Sequence, residues 1–372
     1  MLPEAVFLAQ GDIIDADTVN EGLQAFLAAH TDFDKLVVFH CAGLPEQFFR
    51  DEEIFNRVNV QGTRNVLAAA LENNAAKVIY TSTMDIFAKD KDGFLVENNV
   101  DPHPKHSAYE RSKQDAEVVC DEFMNKHGLP VIFMNCSAVY GPSPVLTGLN
   151  EMLPLLIHGE IPTLLSGGMP VVYIDGVAKA HVDAVEFGSP GERYLLADRH
   201  MSMKDIAQAI AQAYAELYPE APPVKIPSVM PAWLVKFLGS TTTFATRHLH
   251  IGQKPLVPRT IVDLLLWDPL PNTTKAEQSL GFKPHDISEG FRKALSSVVE
   301  NGFLRPIPEK DCDVGSCKIC DKRFCVTTRR HHCRKCGQII CRNCSRQRAK
   351  LSDLGYSKPV RVCKTCESES VV

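Results

Sequence analysis

Eight cysteines in four CxxC pairs crowd into the last part of this 372-residue chain, and nothing else in it limits folding so tightly. The pairs are Cys317/Cys320, Cys333/Cys336, Cys341/Cys344 and Cys363/Cys366. Eight thiolates make two tetrahedral four-ligand sites, the arrangement that structural zinc requires. The two-residue spacer lets both sulfurs of one tight turn reach the same ion. A lone CxxC reads equally well as a redox pair or an accident; four in register do not. A module this short has too little core to fold without metal. The tail is therefore expected to be a separate domain built on two zinc ions.

The remaining counts support that division. Ten of the thirteen cysteines fall between Cys312 and Cys366, while Cys41, Cys120 and Cys136 are scattered and read as ordinary thiols. Met1 opens no signal peptide, and no apolar run reaches the length of a membrane span. Clustered cysteines without a secretion signal point to metal rather than disulfides. From Asp311 onward, 14 Lys and Arg face 6 Asp and Glu, a net of +8; the rest of the chain carries −13. A basic module on an acidic body suggests an anionic partner for the tail.

The tail's cations are concentrated beside metal ligands, in the run Arg329-Arg330-His331-His332-Cys333-Arg334-Lys335-Cys336-Gly337. Zinc fixes the backbone there, and fixed arginine forks suit the oxygens of a phosphate monoester. Protonated histidines would add affinity at mildly acid pH. With Arg361-Val362-Cys363, this run resembles the R(R/K)HHCRxCG core and RVC motif of FYVE zinc fingers, over roughly residues 308–368. Of the family's leading WxxD stretch, Asp311 is present and Pro308 takes the tryptophan position.

The resemblance implies binding to the headgroup of phosphatidylinositol 3-phosphate, on the cytoplasmic face of endosomal membranes and not to nucleic acid. It implies crossed zinc coordination, with Cys317, Cys320, Cys341 and Cys344 on one ion and Cys333, Cys336, Cys363 and Cys366 on the other. Asp311, Arg329, Arg330, His332, Arg334 and Arg361 would hold the headgroup. The preceding loop, Phe324-Cys325-Val326-Thr327-Thr328, offers only Val326 as a plainly apolar tip, so a homodimer would help by avidity. A RING finger is the competing zinc module, but it would want a histidine ligand and has no use for RRHHCR.

Residues 1–300 alternate short apolar β-type runs with helical stretches. Val37–Phe39, Lys77–Tyr80 and Pro130–Met134 read as strands; Val60–Leu71 and Tyr109–Met124 read as helices. Such alternation argues a parallel sheet with helices on both faces, whose ligands bind at the carboxyl ends of the strands. Tyr109 and Lys113 lie one helical turn apart, where an ammonium would lower the phenol's pKa and suit it to proton transfer. Most YxxxK pairs are merely surface helix neighbours. Tyr80-Thr81-Ser82-Thr83 ends an apolar run, where a sheet would present hydroxyls to a ligand.

With Gly11-Asp12-Ile13, His40-Cys41-Ala42-Gly43 and Asn59-Val60-Gln61-Gly62-Thr63, these residues resemble the extended short-chain dehydrogenases. Val172-Tyr173-Ile174-Asp175-Gly176-Val177-Ala178-Lys179-Ala180-His181 looks like the VYVDNVAxAH segment of the 3β-hydroxysteroid dehydrogenase branch. The stretch from Asn272 to Leu295 looks like that branch's closing part. The resemblance implies NAD or NADP and hydride exchange at the 3β-hydroxyl of a steroid or sterol. Tyr109 would be the acid/base and Lys113 would hold the nicotinamide ribose. Thr83, with Ser82 as fallback, would hold the substrate oxygen. Asp12 and Ile13 would sit by the adenine, and Ala42 and Gly43 near the cofactor's middle.

The chain departs from that pattern at its start, where no Gly-rich GxxGxxG turn precedes Gly11. Asn135-Cys136 also replaces the Arg-Pro expected before Val139-Tyr140-Gly141-Pro142. The favoured explanation is a chain cut short before its third strand; the others are a pseudoenzyme and a missing part supplied by another chain. The expected fold is thus α/β: a truncated Rossmann-like parallel sheet (1–300) with a small substrate lobe (190–297), a linker (301–310), and a two-zinc finger (311–370). The apolar segments 229–238 and 261–267 read first as core or cap helices, and second as a greasy mouth against a bilayer. The alternatives to a sterol oxidoreductase are a catalytically dead lipid-binding adaptor and a nucleotide-sugar epimerase or dehydratase.

Overall fold

A computed structural model describes residues 7–46, 48–219, 221, 223–248, 258–304, 314–325, 327–351 and 358–368. The chain divides into two units. The first holds residues 1–139, 165–202 and 230–285, and the second holds 140–164, 203–229 and 286–372.

The first unit is built on a four-stranded parallel sheet. After helix α1 (Ala16–Ala29), chain order runs β1 (Val37–His40), α2 (Gly62–Glu72), β2 (Lys77–Thr83), α3 (Ala108–His127) and β3 (Val131–Cys136). It continues through β4 (Gly168–Tyr173), α4 (Ile174–Phe187) and β5 (Arg193–Leu196). The sheet order is β1-β2-β3-β5, with Val38 opposite Val78, Tyr80 opposite Phe133, and Phe133 opposite Arg193.

Strand period decides which face each side chain serves. Val78, Tyr80, Val131 and Phe133 pack with Leu67 and Ala70 of α2 and Ala116, Cys120 and Phe123 of α3. Ile79, Ile132 and Met134 point the other way, onto Val177, Ala180 and Ala184 of α4 and onto Ala276 and Leu280. Both faces are covered, so the central strands read as continuous apolar runs, as parallel strands do.

Among the described residues β1 is an edge of the sheet, and 7–12 form no strand. One expectation is corrected here. The span 190–297 is not one lobe: β5 hydrogen-bonds to β3 inside the main sheet. The second unit instead pairs α5 (Met203–Leu217) with a helix at Ile287–Glu300. There the Tyr140 and Phe291 rings stack at 4.5 Å, and a Cβ on Gly290 would collide with the Tyr140 ring and hydroxyl. Only glycine fits that contact.

The zinc-finger part of the second unit is a pair of two-stranded antiparallel ribbons. Arg330–His332 pairs with Ile339–Cys341, and Arg348–Ala349 pairs with Val360–Arg361. Cysteines dominate its buried cluster, joined by Ile340, Leu351 and Val362.

Candidate functional site

The body's polar cluster lies at the carboxyl ends of β2 and β3. Ser107 caps α3: its hydroxyl accepts from the Glu110 N–H at 3.0 Å, and the Glu110 carboxylate accepts from the Ser107 N–H at 3.2 Å. This reciprocal capping box fixes the helix start two residues before Tyr109. One turn on, Lys113 is buried, and its Nζ donates to the Tyr80 hydroxyl and to the Thr81 carbonyl, both at 2.8 Å. Burial brings its pKa down to about 8.

The expected depression of the Tyr109 pKa is not found. Burial and the nearby Asp85 carboxyl push the phenol above its ordinary range, and the hydrogen bond with Thr83 opposes them only in part. The Lys113 ammonium is engaged by Tyr80 and Thr81. Thr83 Oγ1 donates to Asp85 Oδ2 at 2.9 Å and accepts from the Asp85 N–H at 3.2 Å. Burial raises Asp85 to about 7, so its carboxyl is divided between protonated and ionised forms near neutrality. Thr83, Asp85 and Tyr109 therefore form one interacting group beside Lys113.

Around this group, Ser82 Oγ, Asp85 Oδ1 and Asn135 Oδ1 are buried with no hydrogen-bond partner among the described residues. Buried polar atoms are ordinarily satisfied, so this concentration marks a place for a polar group of a ligand. Asn135 Nδ2 donates to the Thr83 carbonyl at 3.1 Å and to Glu117 Oε1 at 2.9 Å. Glu117, one turn beyond Lys113, is held by Arg193 Nε at 2.6 Å.

The residues expected near a dinucleotide are organised by Asn59, which sits in a six-residue π-helical stretch before α2. Its Oδ1 accepts from the Leu44 N–H at 2.7 Å, and its Nδ2 donates to Ser112 Oγ at 2.9 Å. The loop bearing Ala42 and Gly43 is thereby tied to α3; a Cβ on Gly43 would lie 3.2 Å from Asn59 Oδ1. Asn65 Nδ2 donates to the Ile13 carbonyl at 2.8 Å, while Gly62 leaves room for the Ile13 side chain. Asp12, Ala42 and Gly43 are exposed and Ile13 partly so. These are the positions expected to face a dinucleotide, with Lys113 buried beyond them.

In the finger, two groups of four thiols each lie with their sulfurs within 4.8 Å of one another: Cys317, Cys320, Cys341 and Cys344, and Cys333, Cys336, Cys363 and Cys366. Four mutually close sulfurs are the donor set that tetrahedral zinc takes. The crossed ligand sets are thus gathered in space. The Arg334 N–H donates to the Arg361 carbonyl at 2.9 Å, joining the RRHHCR run to the RVC segment. Arg329, Arg330 and Arg334 are exposed, and His332 and Arg361 partly so. Arg361 also donates to Ser345 O at 2.7 Å, and Arg330 lies over the Phe324 ring at 5.0 Å. His331 is held below its ordinary pKa by burial and by Arg361, which works against its protonation at mildly acid pH. Asp311 and Val326 lie outside the described residues.

A model of the NAD dependent epimerase/dehydratase family matches residues 3–197. The chain belongs to that family. NAD is the family's cofactor, and the fold agrees. The crystal structure of gox2253 superposes with a TM-score of 0.63 at 25% identity, covering 79% of this chain and 85% of that one. UDP-glucose 4-epimerase of Thermus thermophilus, solved with NAD, gives 0.60 at 21% identity, covering 80% and 86%, a likeness of fold.

A FYVE zinc finger model matches residues 308–371, which brings two zinc ions to the cysteine clusters. Over this part the chain is 53% identical along 64 residues to human pleckstrin homology domain-containing family F member 1, or 17% of this chain and 22% of that protein. It is 41% identical along 97 residues to human early endosome antigen 1, 26% of this chain and 6% of that protein. The lateral signaling target protein 2 homolog of Brugia malayi shares 44% along 63 residues, 17% and 10%. The chain spans less than a quarter of the length of each of these three relatives.

Sequence reasoning missed Asp85, the Glu117–Arg193 pair and the work of Asn59. Asp85 had a signal, a carboxylate inside the apolar run Met84-Asp85-Ile86-Phe87. Glu117 had none, because its partners come from two distant strands.

Proposed function

We propose that the chain is an NAD(P)-dependent oxidoreductase acting on the 3β-hydroxyl of a steroid or sterol, held at phosphatidylinositol 3-phosphate membranes by its zinc finger. The observation that carries the catalytic part is the Thr83–Asp85–Tyr109 group beside Lys113, among buried polar atoms that lack partners. The bound nicotinamide would accept or return hydride at the alcohol carbon. As a neutral phenol, Tyr109 would give its proton to the substrate's carbonyl oxygen in reduction, and its phenolate would take the hydroxyl proton back in oxidation. Thr83, whose own proton points to Asp85, would offer its oxygen to the substrate or to Tyr109. Lys113, buried and still largely cationic at neutral pH, would hold the ribose and oppose the charge that develops on Tyr109. A substrate hydroxyl would give Ser82 or Asn135 the partner it lacks.

The steroid assignment rests on the Val172–His181 segment, and the membrane assignment on the arginines fixed beside Cys333 and Cys363. Asp311, Arg329, Arg330, His332, Arg334 and Arg361 would form the headgroup site, on the cytoplasmic face of endosomes. The working boundaries are 1–300 for the dehydrogenase-like part, 301–310 for the linker and 311–370 for the finger, with dimerisation adding avidity.

The family match and the likeness to UDP-glucose 4-epimerase favour a second reading, a nucleotide-sugar epimerase or dehydratase. The test is to offer the zinc-loaded chain a 3β-hydroxysterol in vesicles with NAD+ or NADP+, and separately UDP-glucose, following reduced cofactor and product mass. A 3-keto sterol with reduced cofactor supports the proposal. Sugar interconversion without net reduction replaces it with the second reading. Turnover of neither, by a folded chain, leaves a lipid-binding adaptor.

A further inference from the structure

The helix Ala232–His248 carries its aromatic side chains outward. Trp233, Phe237 and Phe244 are 71%, 61% and 57% exposed, whereas Val235 and Thr246 on the same helix are buried. Spacings of four and eleven residues place the three rings within about 40° of one another around the axis. The opposite side packs on the helix Arg259–Trp267, where a Cβ on Gly239 would come within 2.9 Å of Val262. The helix is therefore anchored in the body by one face and presents an aromatic stripe on the other. A row of exposed large apolar rings is not what solvent alone selects.

Charge indicates what meets the stripe. From Ala221 to Val262 the sequence has no Asp or Glu, and it has five cations: Lys225, Lys236, Arg247, Lys254 and Arg259. Around this acid-free stretch of 42 residues the body is strongly acidic. Arg259 is paired with Asp263 at 2.8 Å, while Lys225 and Lys236 are exposed, and Lys236 is on the aromatic helix itself. Aromatic rings beside an exposed lysine, on a helix that carries no acid, suit the boundary between anionic headgroups and acyl chains. Among the described residues no helix is long and apolar enough to cross a membrane, so the helix would lie in the surface.

We infer that Trp233, Phe237 and Phe244 insert shallowly into an anionic lipid bilayer, giving the body a membrane contact of its own that needs no phosphoinositide. The inference deepens the membrane reading of the finger but does not depend on the finger's headgroup.

The full-length chain tests it, on vesicles of phosphatidylcholine and phosphatidylserine that contain no phosphoinositide. Trp267→Phe leaves Trp233 as the single tryptophan, since the sequence has two. Its emission is expected to shift blue on these vesicles and to be quenched by brominated acyl chains. Sedimentation of the unsubstituted chain with the same vesicles gives the reading without replacing Trp267. Phe237→Ser with Phe244→Ser, both exposed positions, should weaken sedimentation by more than about tenfold. Arg329→Ala with Arg330→Ala should leave it unchanged and remove only any gain from added phosphatidylinositol 3-phosphate, so failure of the finger reading is seen separately. Unshifted Trp233 emission, serine variants that sediment like the parent, or a shift that follows protein concentration without lipid would overturn the inference. The last would mean that a second copy covers the stripe.

Discussion

In the finger, Arg329, Arg330, His332 and Arg334 all lie within four residues of Cys333, so the metal that folds the module also fixes its cations. In the body, Thr83 comes from the end of β2, Asp85 from the turn after it, and Tyr109 and Lys113 from α3, with Asn135 and Arg193 on two further strands. The finger's chemistry is local and depends on zinc. The body's is assembled by sheet packing and buried polar contacts. The two should therefore fail in different ways.

Zinc removal gives the largest contrast. Structural zinc supplies about 10–16 kcal/mol in small finger modules. A chelator, or Cys333→Ser, should unfold the finger and leave the body's helical signal with its own melting transition, as read by circular dichroism. Loss of both signals together would break the contrast.

Next comes Tyr109→Phe. It should lower oxidoreductase turnover by about 10²–10⁴-fold, the usual worth of a positioned acid/base. Cofactor binding and vesicle binding should be kept, as titration and sedimentation would reveal.

Glu117→Gln leaves Arg193 without its buried partner, and should destabilise the body by about 3 kcal/mol in urea unfolding. The finger's zinc content should not change.

Asp85 adds a pH signature. Its carboxyl titrates near 7 in the folded protein against an ordinary 3.8, so the folded state keeps a proton that the unfolded chain releases. Stability from this group therefore falls as pH rises through that window. Asp85→Asn should gain stability relative to the parent between those pH values, in urea unfolding followed at several pH values. A parallel pH dependence for both proteins would contradict the assignment.

The smallest effect expected is that of Ser107→Ala, which removes the capping box ahead of Tyr109. It should cost about 1 kcal/mol in the same unfolding measurement.

The same contrast explains what could be read before the structure was known. Cysteine spacing and the RRHHCR run carry nearly all of the finger's design, because its ligands and cations are neighbours in sequence. The strands at Lys77–Thr83 and Val131–Cys136 were legible from their apolar runs, and Tyr109 and Lys113 from helical spacing. The engagement of Lys113 by Tyr80 was not, since it depends on how α3 crosses β2. Nor was β5's place in the main sheet, which is settled by pairing with a strand sixty residues earlier. That the aromatic face of Ala232–His248 turns outward was the second of two readings of residues 229–238, because apolar periodicity does not say which side of a helix faces the core.

The most direct test of the central claim is titration of the zinc-loaded full chain with NADH and NADPH, followed by cofactor fluorescence, beside Lys113→Met. The account predicts saturable binding of at least one cofactor and clear weakening in the variant, because Lys113 is the buried cation held at the ends of the strands. A folded chain that binds neither cofactor, or a variant that binds as the parent does, would contradict it.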